Sequence, residues 1–471
     1  MAINIIATVS DNTIDDHVDE EIRACILNKK NFFMFAGAGS GKTLSLVNTL
    51  NYIADTYGDI LRLRQKGVAV ITYTNAACDE ISRRVKYNSL FAISTIHSFL
   101  WELIKPYQRD IKTWIKSNLQ AKINDLQQKQ AKARTKDYSG DIIKKRERLN
   151  SLDRIIRFSY NPNGENVGRD SLDHSEVISM GSNFIFERET MQKVLVSKFP
   201  ILLIDESQDT KKELVDALLS VETKHNENFT IGMFGDTMQR IYTDGKDNLA
   251  NSIPTDWKRP AKVMNHRSTH RVIQLANAIR NTIDKQKQQP RSDKEAGSVR
   301  LFIASNINDK EAVEARIYSQ MATITGDSMW NEPSQHKTLV LEHSMAAERL
   351  GFKKFHDNLK AFGQSYLDGT LTELSFLMKV VYPLVMAKCE QNNFAVMKII
   401  RERSPLLQKR ILQSISNQPL FFKEINERVN SLSELWAKDN IPTCIDVYRK
   451  LSELRLFELP KRIEEVLSVE T

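Results

Sequence analysis

Cysteine is scarce in this chain and is dispersed along it. The 471 residues include four cysteines, Cys25, Cys78, Cys389 and Cys444, and none of them belongs to a CxxC pair. A disulfide framework or a zinc ribbon needs closely spaced cysteines, so the sequence encodes neither. Dispersed cysteines are typical of a reducing compartment, and we expect a cytoplasmic protein.

Long apolar runs are also missing. A membrane-spanning helix needs about 20 apolar residues, whereas the longest candidate, residues 380–387, is short and contains Pro383. The first residues of the chain lead into Asp11 and Asp15, where a signal peptide would have a basic start and a longer apolar run. We therefore expect neither a membrane segment nor export.

The net charge of +8 is unevenly distributed along the chain. Residues 105–157 contain 15 lysines and arginines against 6 acidic residues, so this segment alone carries +9. With 41% apolar and 27% charged residues, the whole chain has the composition of a folded globular protein. The basic segment fits two interpretations, a solvated helical face or a surface that contacts phosphates.

Short apolar runs alternate with helical patterns in the N-terminal half. This alternation is typical of βαβ units, whose parallel strands are buried on both faces. After the first run, for example, Leu46, Leu50 and Ile53 fall on one face of a predicted helix. The pattern predicts strands at residues 32–36, 68–74, 91–95, 201–205 and 231–235.

A second, shorter α/β region is predicted further along the chain. Two charged helical segments, at about 101–198 and 353–459, lie between and around the two regions. The later one contains no glycine after Gly369, as expected for helices. The predicted fold class is α/β, with two parallel-sheet cores and helical insertions. The apolar runs of the second region are residues 299–304, 337–342 and 466–471.

Residues 36–43, with the sequence AGAGSGKT, follow a predicted strand and begin a predicted helix. In a phosphate-binding loop of this kind, backbone N–H groups and the helix N-terminus face the phosphates. Lys42 would reach the β and γ phosphates, and Thr43 would offer its hydroxyl to Mg²⁺. A glycine-rich turn that only starts a helix would not explain Lys42 and Thr43 together. The predicted nucleotide-binding residues are Ala36, Gly37, Ala38, Gly39, Ser40, Gly41, Lys42 and Thr43.

Another apolar run ends in two adjacent carboxylates, Asp205 and Glu206. Asp205 can hold Mg²⁺, and Glu206 can accept a proton from the attacking water. Taken alone, such a pair also fits a strand that ends at solvent. With the phosphate-binding loop upstream, it predicts hydrolysis of a nucleoside triphosphate.

In chain order, these and further motifs resemble those of the UvrD/Rep-like superfamily 1 helicases, over residues 32–269. Residues 71–77, ITYTNAA, are similar to motif Ia, and residues 94–99, STIHSF, to motif Ib. Without the resemblance, Tyr73 fits a core position and His97 a structural histidine. The DNA contacts that the resemblance implies in these two motifs are Tyr73, Thr74, Asn75, Thr95 and His97.

Three later motifs extend the resemblance. Residues 201–210 match motif II, residues 235–242, GDTMQRIY, are similar to motif III, and residues 265–269, NHRST, to motif IV. The resemblance implies that Gln239 faces the γ phosphate and that Tyr242 contacts DNA. It also implies that Arg267 reaches the phosphates from the second core, although Arg267 alone fits a surface salt bridge. The implied fold is two RecA-like cores of the P-loop NTPase type, with Glu206, Gln239 and Arg267 as catalytic residues and ATP and Mg²⁺ as cofactors.

The sequence departs from the family pattern in three ways. No glutamine occurs before Gln65, where the family has one that contacts adenine, and Thr243 follows Tyr242 in place of tryptophan. Motifs V and VI are not found after Arg267. The sequence therefore does not predict adenine selectivity, and it predicts that one DNA-stacking contact is missing or moved. We hypothesise that the sequence is a truncated form of a longer helicase.

The resemblance also implies a domain order. The two cores are each interrupted by a helical insertion, the first basic and 1B-like, the second small and 2B-like. The predicted segments are core 1A at 1–100 and 196–265, the 1B-like insertion at 101–195, core 2A at 266–350, the 2B-like insertion at 351–460, and the start of a 2A return strand at 461–471.

Two functions follow from these patterns. The resemblance implies an ATP hydrolase that acts as a single-stranded DNA translocase or DNA helicase. The missing motifs favour an alternative, an ATP-binding, DNA-sensing subunit of a repair or anti-phage defence complex, with a protein partner such as a nuclease and little turnover of its own. In a third class, a P-loop ATPase that acts on proteins or small molecules, the basic segment would only be solvated. No membrane partner is expected.

Overall fold

The computed structural model divides the chain into two compact units, Met1–Glu332 and Pro333–Thr471. The first contains a parallel sheet, and the second is helical. No helix within the described parts of the chain is both long enough and apolar enough to cross a bilayer. The structure describes residues 12–132, 137–160, 170–236, 249–281, 287–305, 309–363, 366, 369, 371–407, 409–415 and 417–469.

A six-stranded sheet forms the centre of the first unit. Its strands are β1 Phe32–Ala36, β2 Val68–Thr72, β3 Phe91–Thr95, β4 Ile201–Ile204, β5 Thr230–Gly235 and β6 Ala261–Lys262. The strand order is β3-β2-β4-β5-β1-β6, and every pairing is parallel. The α/β class and the five strands predicted for the first core are therefore confirmed. β2 and β4 end before Tyr73 and Asp205, so both residues lie in the turns that follow their strands.

Helices cover both faces of this sheet. A parallel strand is buried on both faces, so its successive side chains enter different cores. Phe33 packs in the same core as α4, α7 and α9, and its neighbours Phe32 and Met34 pack in the core of α1, α2 and α3. The helices of this unit are α1 Asp16–Leu27, α2 Lys42–Leu63, α3 Asn75–Arg84, α4 Ile96–Ile104, α5 Gln108–Lys132, α6 Ser139–Ser151, α7 His174–Glu187, α8 Glu189–Lys198, α9 Lys212–His225, α10 Leu249–Ser252, α11 His270–Arg280 and α12 Lys310–Thr325. Its 3₁₀ turns are Leu152–Arg154, Ser207–Asp209 and Ser328–Asn331.

The basic segment forms α5 and α6. In α5 the buried residues Ile111, Ile115 and Leu119 recur every four positions and join the core of α4 and α7. The basic side chains lie off this stripe, and part of their charge is paired. Arg148 of α6, for example, donates to both carboxylate oxygens of Glu176, at 2.6 and 2.9 Å.

The second predicted α/β region is only partly formed in the described residues. Its parallel pairing is limited to β7 Met264–Asn265 and β8 Gln289–Pro290. The strands predicted at 299–304 and 337–342 are not found, since neither segment has a strand partner among the described residues. Their alternate apolar side chains remain exposed: Leu301, Ile303, Leu339 and Leu341.

The second unit is helical, as predicted for residues 353–459. Its core contains the fully buried Leu384, Ile400 and Leu432. The α-helices are α13 His343–Arg349, α14 Lys353–Leu359, α15 Thr372–Phe376, α16 Tyr382–Cys389, α17 Asn393–Arg403, α18 Lys409–Ser414, α19 Gln418–Ser433, α20 Cys444–Leu454 and α21 Lys461–Val469. A π-helical turn, Leu377–Val381, joins α15 to α16, and 3₁₀ turns span Lys360–Phe362, Pro405–Leu407 and Glu434–Asp439.

The return strand predicted at 461–471 is wrong over the described residues, which form α21 instead. Leu459, Ile463 and Leu467 recur every four residues and pack against the core of the second unit. Within this helix Ile463, Val466 and Leu467 stand at i, i+3 and i+4, which is the spacing of one helical face. A strand would instead place Val466 on the face opposite to the other two. The amphipathic pattern therefore outweighs the short apolar run.

A substitution at Gly232 of β5 would test the packing at the centre of the sheet. A Cβ at this position would overlap Phe32 and lie 2.7 Å from Leu203 Cδ2. We expect Gly232→Ala to lower the free energy of unfolding by about 1–3 kcal/mol, because the neighbours must shift. Urea unfolding followed by tryptophan fluorescence measures the change. Gly140→Ala is the control, since its Cβ meets nothing within 4 Å; equal stability of the two variants would contradict the packing described.

Candidate active site

The candidate site lies where the carboxyl ends of three parallel strands meet. The phosphate-binding loop follows β1, Asp205 and Glu206 follow β4, and Asp236 follows β5, which lies between the other two strands. Parallel strands all end at the same edge of a sheet, so residues far apart in sequence converge there. Lys42 and Glu206, 164 positions apart, form an ion pair.

Local backbone geometry shapes the phosphate-binding loop. Gly39 and Gly41 have φ angles of +74° and +84°, in the left-handed region that favours glycine. The hydroxyl of Ser40 donates to Gly37 O at 2.8 Å, and this bond closes the turn. Gly41 caps α2, so that Lys42 and Thr43 form its first turn at the positive end of the helix.

Lys42 and Glu206 make the central contact of the site. The Lys42 ammonium lies 2.5 Å from Glu206 Oε2, and the lysine side chain is only 10% exposed. Glu206 adopts a left-handed backbone, with φ of 49°. Gln208 Nε2 donates to the same Oε2 at 2.8 Å, and Gln208 Oε1 accepts from Asp236 N at 3.1 Å. Gln208 thus connects Glu206 to the end of β5.

Asp205 is buried beside this pair. Its N–H donates to Ile71 O of β2 at 2.8 Å, and its Oδ1 accepts from Glu206 N at 3.0 Å. Burial raises the pKa of Asp205 to about 6, and the neighbouring Glu206 charge adds to this shift while Lys42 opposes it. A nearby cation would stabilise the ionised form of this buried carboxylate.

The residues present fit a magnesium ion bound together with a nucleotide. Mg²⁺ prefers oxygen ligands and keeps several waters and substrate phosphates, so one or two protein oxygens suffice. The Asp205 carboxylate and the Thr43 hydroxyl are such donors. The described residues contain no cluster of three or more His, Cys, Asp or Glu side chains with metal-site geometry, as expected where phosphates complete the coordination.

A cavity of about 360 Å³ opens over the loop. It brings together the predicted Lys42, Thr43, Glu206 and Arg267. Sequence analysis missed three further lining residues, Leu44, Glu80 and Arg84. Glu80 and Arg84 form an ion pair at 2.5 Å one helical turn apart on α3. Their spacing marks a helical pair, but only the fold orients α3 towards the loop. The lining residues are Gly37, Ala38, Gly39, Gly41, Lys42, Thr43, Leu44, Glu80, Arg84, Glu206 and Arg267.

The predicted DNA contacts of the first two motifs lie at the carboxyl ends of β2 and β3, which are neighbours in the sheet. Thr74 Oγ1 caps α3 by accepting from Ala77 N at 3.1 Å, and Thr95 Oγ1 caps α4 by accepting from Ser98 N at 3.4 Å. Tyr73 is 36% exposed, and Asn75 begins α3. Of the predicted site, Gln239 and Tyr242 lie outside the described residues.

His97 is half-buried beside α7. Its ring packs edge-on against His174 of α7, with 5.0 Å between centroids. The His174 ring in turn shares a hydrogen bond of 2.5 Å with the Tyr160 hydroxyl. Burial lowers the pKa of His97 to about 4, helped by the neighbouring His174 and Lys211. His97 is therefore neutral at pH 7.

Comparison with known proteins gives three matches. The family model of an AAA domain matches residues 19–244. The Gabija protein GajB of Bacillus cereus (strain HuB5-5) is 26% identical over 496 aligned positions, which cover 86% of this chain and 71% of that protein. The probable DNA helicase II homolog of Mycoplasma capricolum subsp. capricolum is 22% identical over 340 positions, which cover 64% of this chain and 46% of that protein.

The depressed pKa of His97 predicts a pH-dependent loss of stability. Below pH 6.5 the unfolded chain protonates this histidine, whereas the folded chain does so only near pH 4, so folding is opposed between these values. Relative to His97→Gln, we expect the wild type to lose about 2 kcal/mol more unfolding free energy between pH 7.5 and 5. Urea unfolding at both pH values measures the difference. The exposed His17→Gln is the control; an equal loss in His97→Gln and the wild type would refute the buried, neutral imidazole.

Proposed function

Since the chain belongs to the UvrD/Rep-like family of superfamily 1 helicases, we propose that it is an ATP hydrolase that moves along single-stranded DNA. The observation that carries this proposal is the cavity over the phosphate-binding loop. A binding lysine, a carboxylate base and an arginine meet there: Lys42, Glu206 and Arg267. These are the groups that phosphoryl transfer to water requires.

The Lys42–Glu206 contact suggests the order of events. When the triphosphate enters, the Lys42 ammonium leaves Glu206 and binds the β and γ phosphates. Glu206 then loses its cationic partner and can accept a proton from the attacking water. Gln208 keeps hold of the Glu206 carboxylate, because its bond at 2.8 Å does not involve Lys42. Nucleotide binding thus frees the base that hydrolysis needs.

Three further groups complete the proposed chemistry. Thr43 and Asp205 would hold Mg²⁺, which supplies positive charge to the phosphate oxygens when bound. Arg267 stabilises the negative charge that develops on the γ phosphate. Gln239 is proposed to orient the attacking water.

The DNA surface is proposed to begin at the ends of β2 and β3. Tyr73 and Thr74 lie in the turn after β2, and Asn75 begins α3. Thr95 ends β3, and His97 lies in the first turn of α4. β2 pairs with β4, and Asp205 N donates to Ile71 O near the end of β2. A movement of the turn after β2 would therefore be transmitted to the adjacent carboxylates. This continuity supports coupling between DNA and hydrolysis. Tyr242 would add a contact, and the basic helices α5 and α6 would contribute phosphate binding from the proposed 1B-like insertion at 101–195.

A second candidate is an ATP-binding, DNA-sensing subunit of a defence or repair complex, with little turnover of its own. The alignment with the Gabija protein GajB, which covers 86% of this chain, supports it. In such a complex a protein partner such as a nuclease would receive the signal. Both candidates use the same nucleotide site and differ in whether the isolated chain hydrolyses ATP.

Two substitutions test the assignment of the site. We expect Lys42→Ala to weaken ATP binding by about 10–100-fold, because a charge-assisted hydrogen bond to phosphate is lost. Glu206→Gln should retain binding but lower turnover by about 10²–10⁴-fold, since the general base is removed. ATP affinity and phosphate release are measured with and without single-stranded DNA. The exposed Lys224→Ala and Glu227→Gln serve as controls.

The outcomes separate the proposals. DNA-stimulated turnover in the wild type, with the two different defects, supports the translocase. ATP binding without turnover in the wild type, restored by a second protein, supports the sensing subunit. Unchanged turnover in either site variant contradicts the assigned chemistry.

A further inference from the structure

Asn265 bonds at once to the phosphate-binding loop and to the segment that carries Arg267. Its Nδ2 donates to Ala38 O at 2.9 Å. Its Oδ1 accepts from the N–H groups of Arg267 and Ser268, both at 2.9 Å. The residue is only 4% exposed. A carbonyl can only accept and an N–H can only donate, so these partners fix the orientation of the amide.

Gln288 reinforces this contact from β8. Its Nε2 donates to the same Ala38 O at 3.0 Å, and its Oε1 accepts from Asn265 Nδ2 at 3.2 Å. The close approach also explains a loop glycine. Gly37 has no left-handed backbone that would demand glycine, but a Cβ there would overlap the Gln288 amide.

The two amides are anchored to α11. Asn277 of this helix exchanges two hydrogen bonds of 2.8 Å with the backbone N–H and C=O of Gln288. One turn later, Arg280 binds both carboxylate oxygens of Asp236 at the end of β5, at 2.9 and 3.1 Å. The helix is therefore attached to the nucleotide site at two points. Gln288, Arg280 and Asp236 are buried and Asn277 is half-buried, so these hydrogen bonds are largely shielded from water.

We infer that Asn265, supported by Gln288, is a positioning residue that holds Arg267 in register with the phosphate-binding loop. The inference rests on the proposed role of Arg267. Ala38 O is occupied by the two amides, and Gly39 O accepts from His266 N at 2.8 Å. These carbonyls face the Asn265 segment, and Ser40 N donates to Gly37 O at 3.2 Å, so phosphate would be bound by the other N–H groups of the loop. The same Asn265 amide fixes the backbone of Arg267, so loop and arginine move together.

A double-mutant cycle between Asn265 and Arg267 tests the inference. Asn265→Asp preserves shape and the acceptor for Arg267 N–H, but it places a carboxylate against Ala38 O. The readout is the ratio of affinities for ATPγS and ADP, which reports contacts to the γ phosphate and requires no turnover. We expect Arg267→Ala to lower this ratio at least tenfold and Asn265→Asp to lower it at least threefold. In the double variant the ratio should be no lower than in Arg267→Ala, because the arginine is already lost.

A matched control is Asn28→Asp, which removes the same kind of bond, Asn28 Nδ2 to Ala24 O at 2.8 Å, at an exposed helix end. It should leave the ratio unchanged. Gln288→Glu is a second variant and should also lower the ratio, by about twofold to threefold. Thermal unfolding midpoints identify any variant that fails to fold.

Three results would contradict the inference about Asn265. If Arg267→Ala lowers the affinity ratio while Asn265→Asp and Gln288→Glu do not, the inference is wrong and the role of Arg267 stands. If the effects of Asn265→Asp and Arg267→Ala multiply in the double variant, Asn265 acts independently of the arginine and the inference also fails. If Arg267→Ala has no effect on the ratio, the proposed role of Arg267 fails, and the inference fails with it. If the wild type binds nucleotide without hydrolysing it, only the translocase proposal is contradicted. The inference about Asn265 still stands or falls on the affinity ratio, which is measured without turnover.

Discussion

The candidate site depends on the ion pair between Lys42 and Glu206. It joins the start of α2 to the turn after β4, across a third strand, and the two residues are 164 positions apart. A buried ammonium without a partner is costly, so the Lys42 side chain needs an anion at all times. In this structure Glu206 supplies that anion, and phosphate would replace it on binding. The same carboxylate is therefore a structural partner in one state and a proposed base in the other.

Two adjacent carboxylates at a buried strand end would repel each other if their side chains were parallel. Glu206 has a left-handed backbone, and its charge contributes to the raised pKa of Asp205. Asp205 is buried, whereas Glu206 lines the cavity and pairs with Lys42. This difference suits the two proposed roles, Asp205 as a ligand of Mg²⁺ and Glu206 as the base that activates water.

Sequence patterns predicted the strands of the first core well, because these signals are local. The glycine spacing of residues 36–43 defines a loop on its own, and a strand buried on both faces is a short apolar run. The later runs at 299–304 and 337–342 were less informative, since an apolar run becomes a strand only where a partner strand is available. The helix Lys461–Val469 could have been recognised from the spacing of its apolar residues.

The remaining site residues depend on the tertiary fold. Arg84 is an ordinary helical arginine in the sequence, and Gln288 belongs to no motif, yet the fold brings one into the cavity and the other onto the phosphate-binding loop. Asn265 was noticed only as the start of a motif centred on Arg267. Its hydrogen bonds to the phosphate-binding loop, to Gln288 and to Arg267 form only because these segments come together in the fold. No local sequence pattern predicts that contact.

Nucleotide binding is proposed to break the ion pair between Lys42 and Glu206. A crystal structure with a non-hydrolysable ATP analogue and Mg²⁺ tests this exchange of partners. We expect the Lys42 ammonium to lie within hydrogen-bonding distance of the β and γ phosphate oxygens, with Glu206 released and still bonded to Gln208. An analogue bound elsewhere, or a Lys42–Glu206 pair that persists beside the bound triphosphate, would contradict the account.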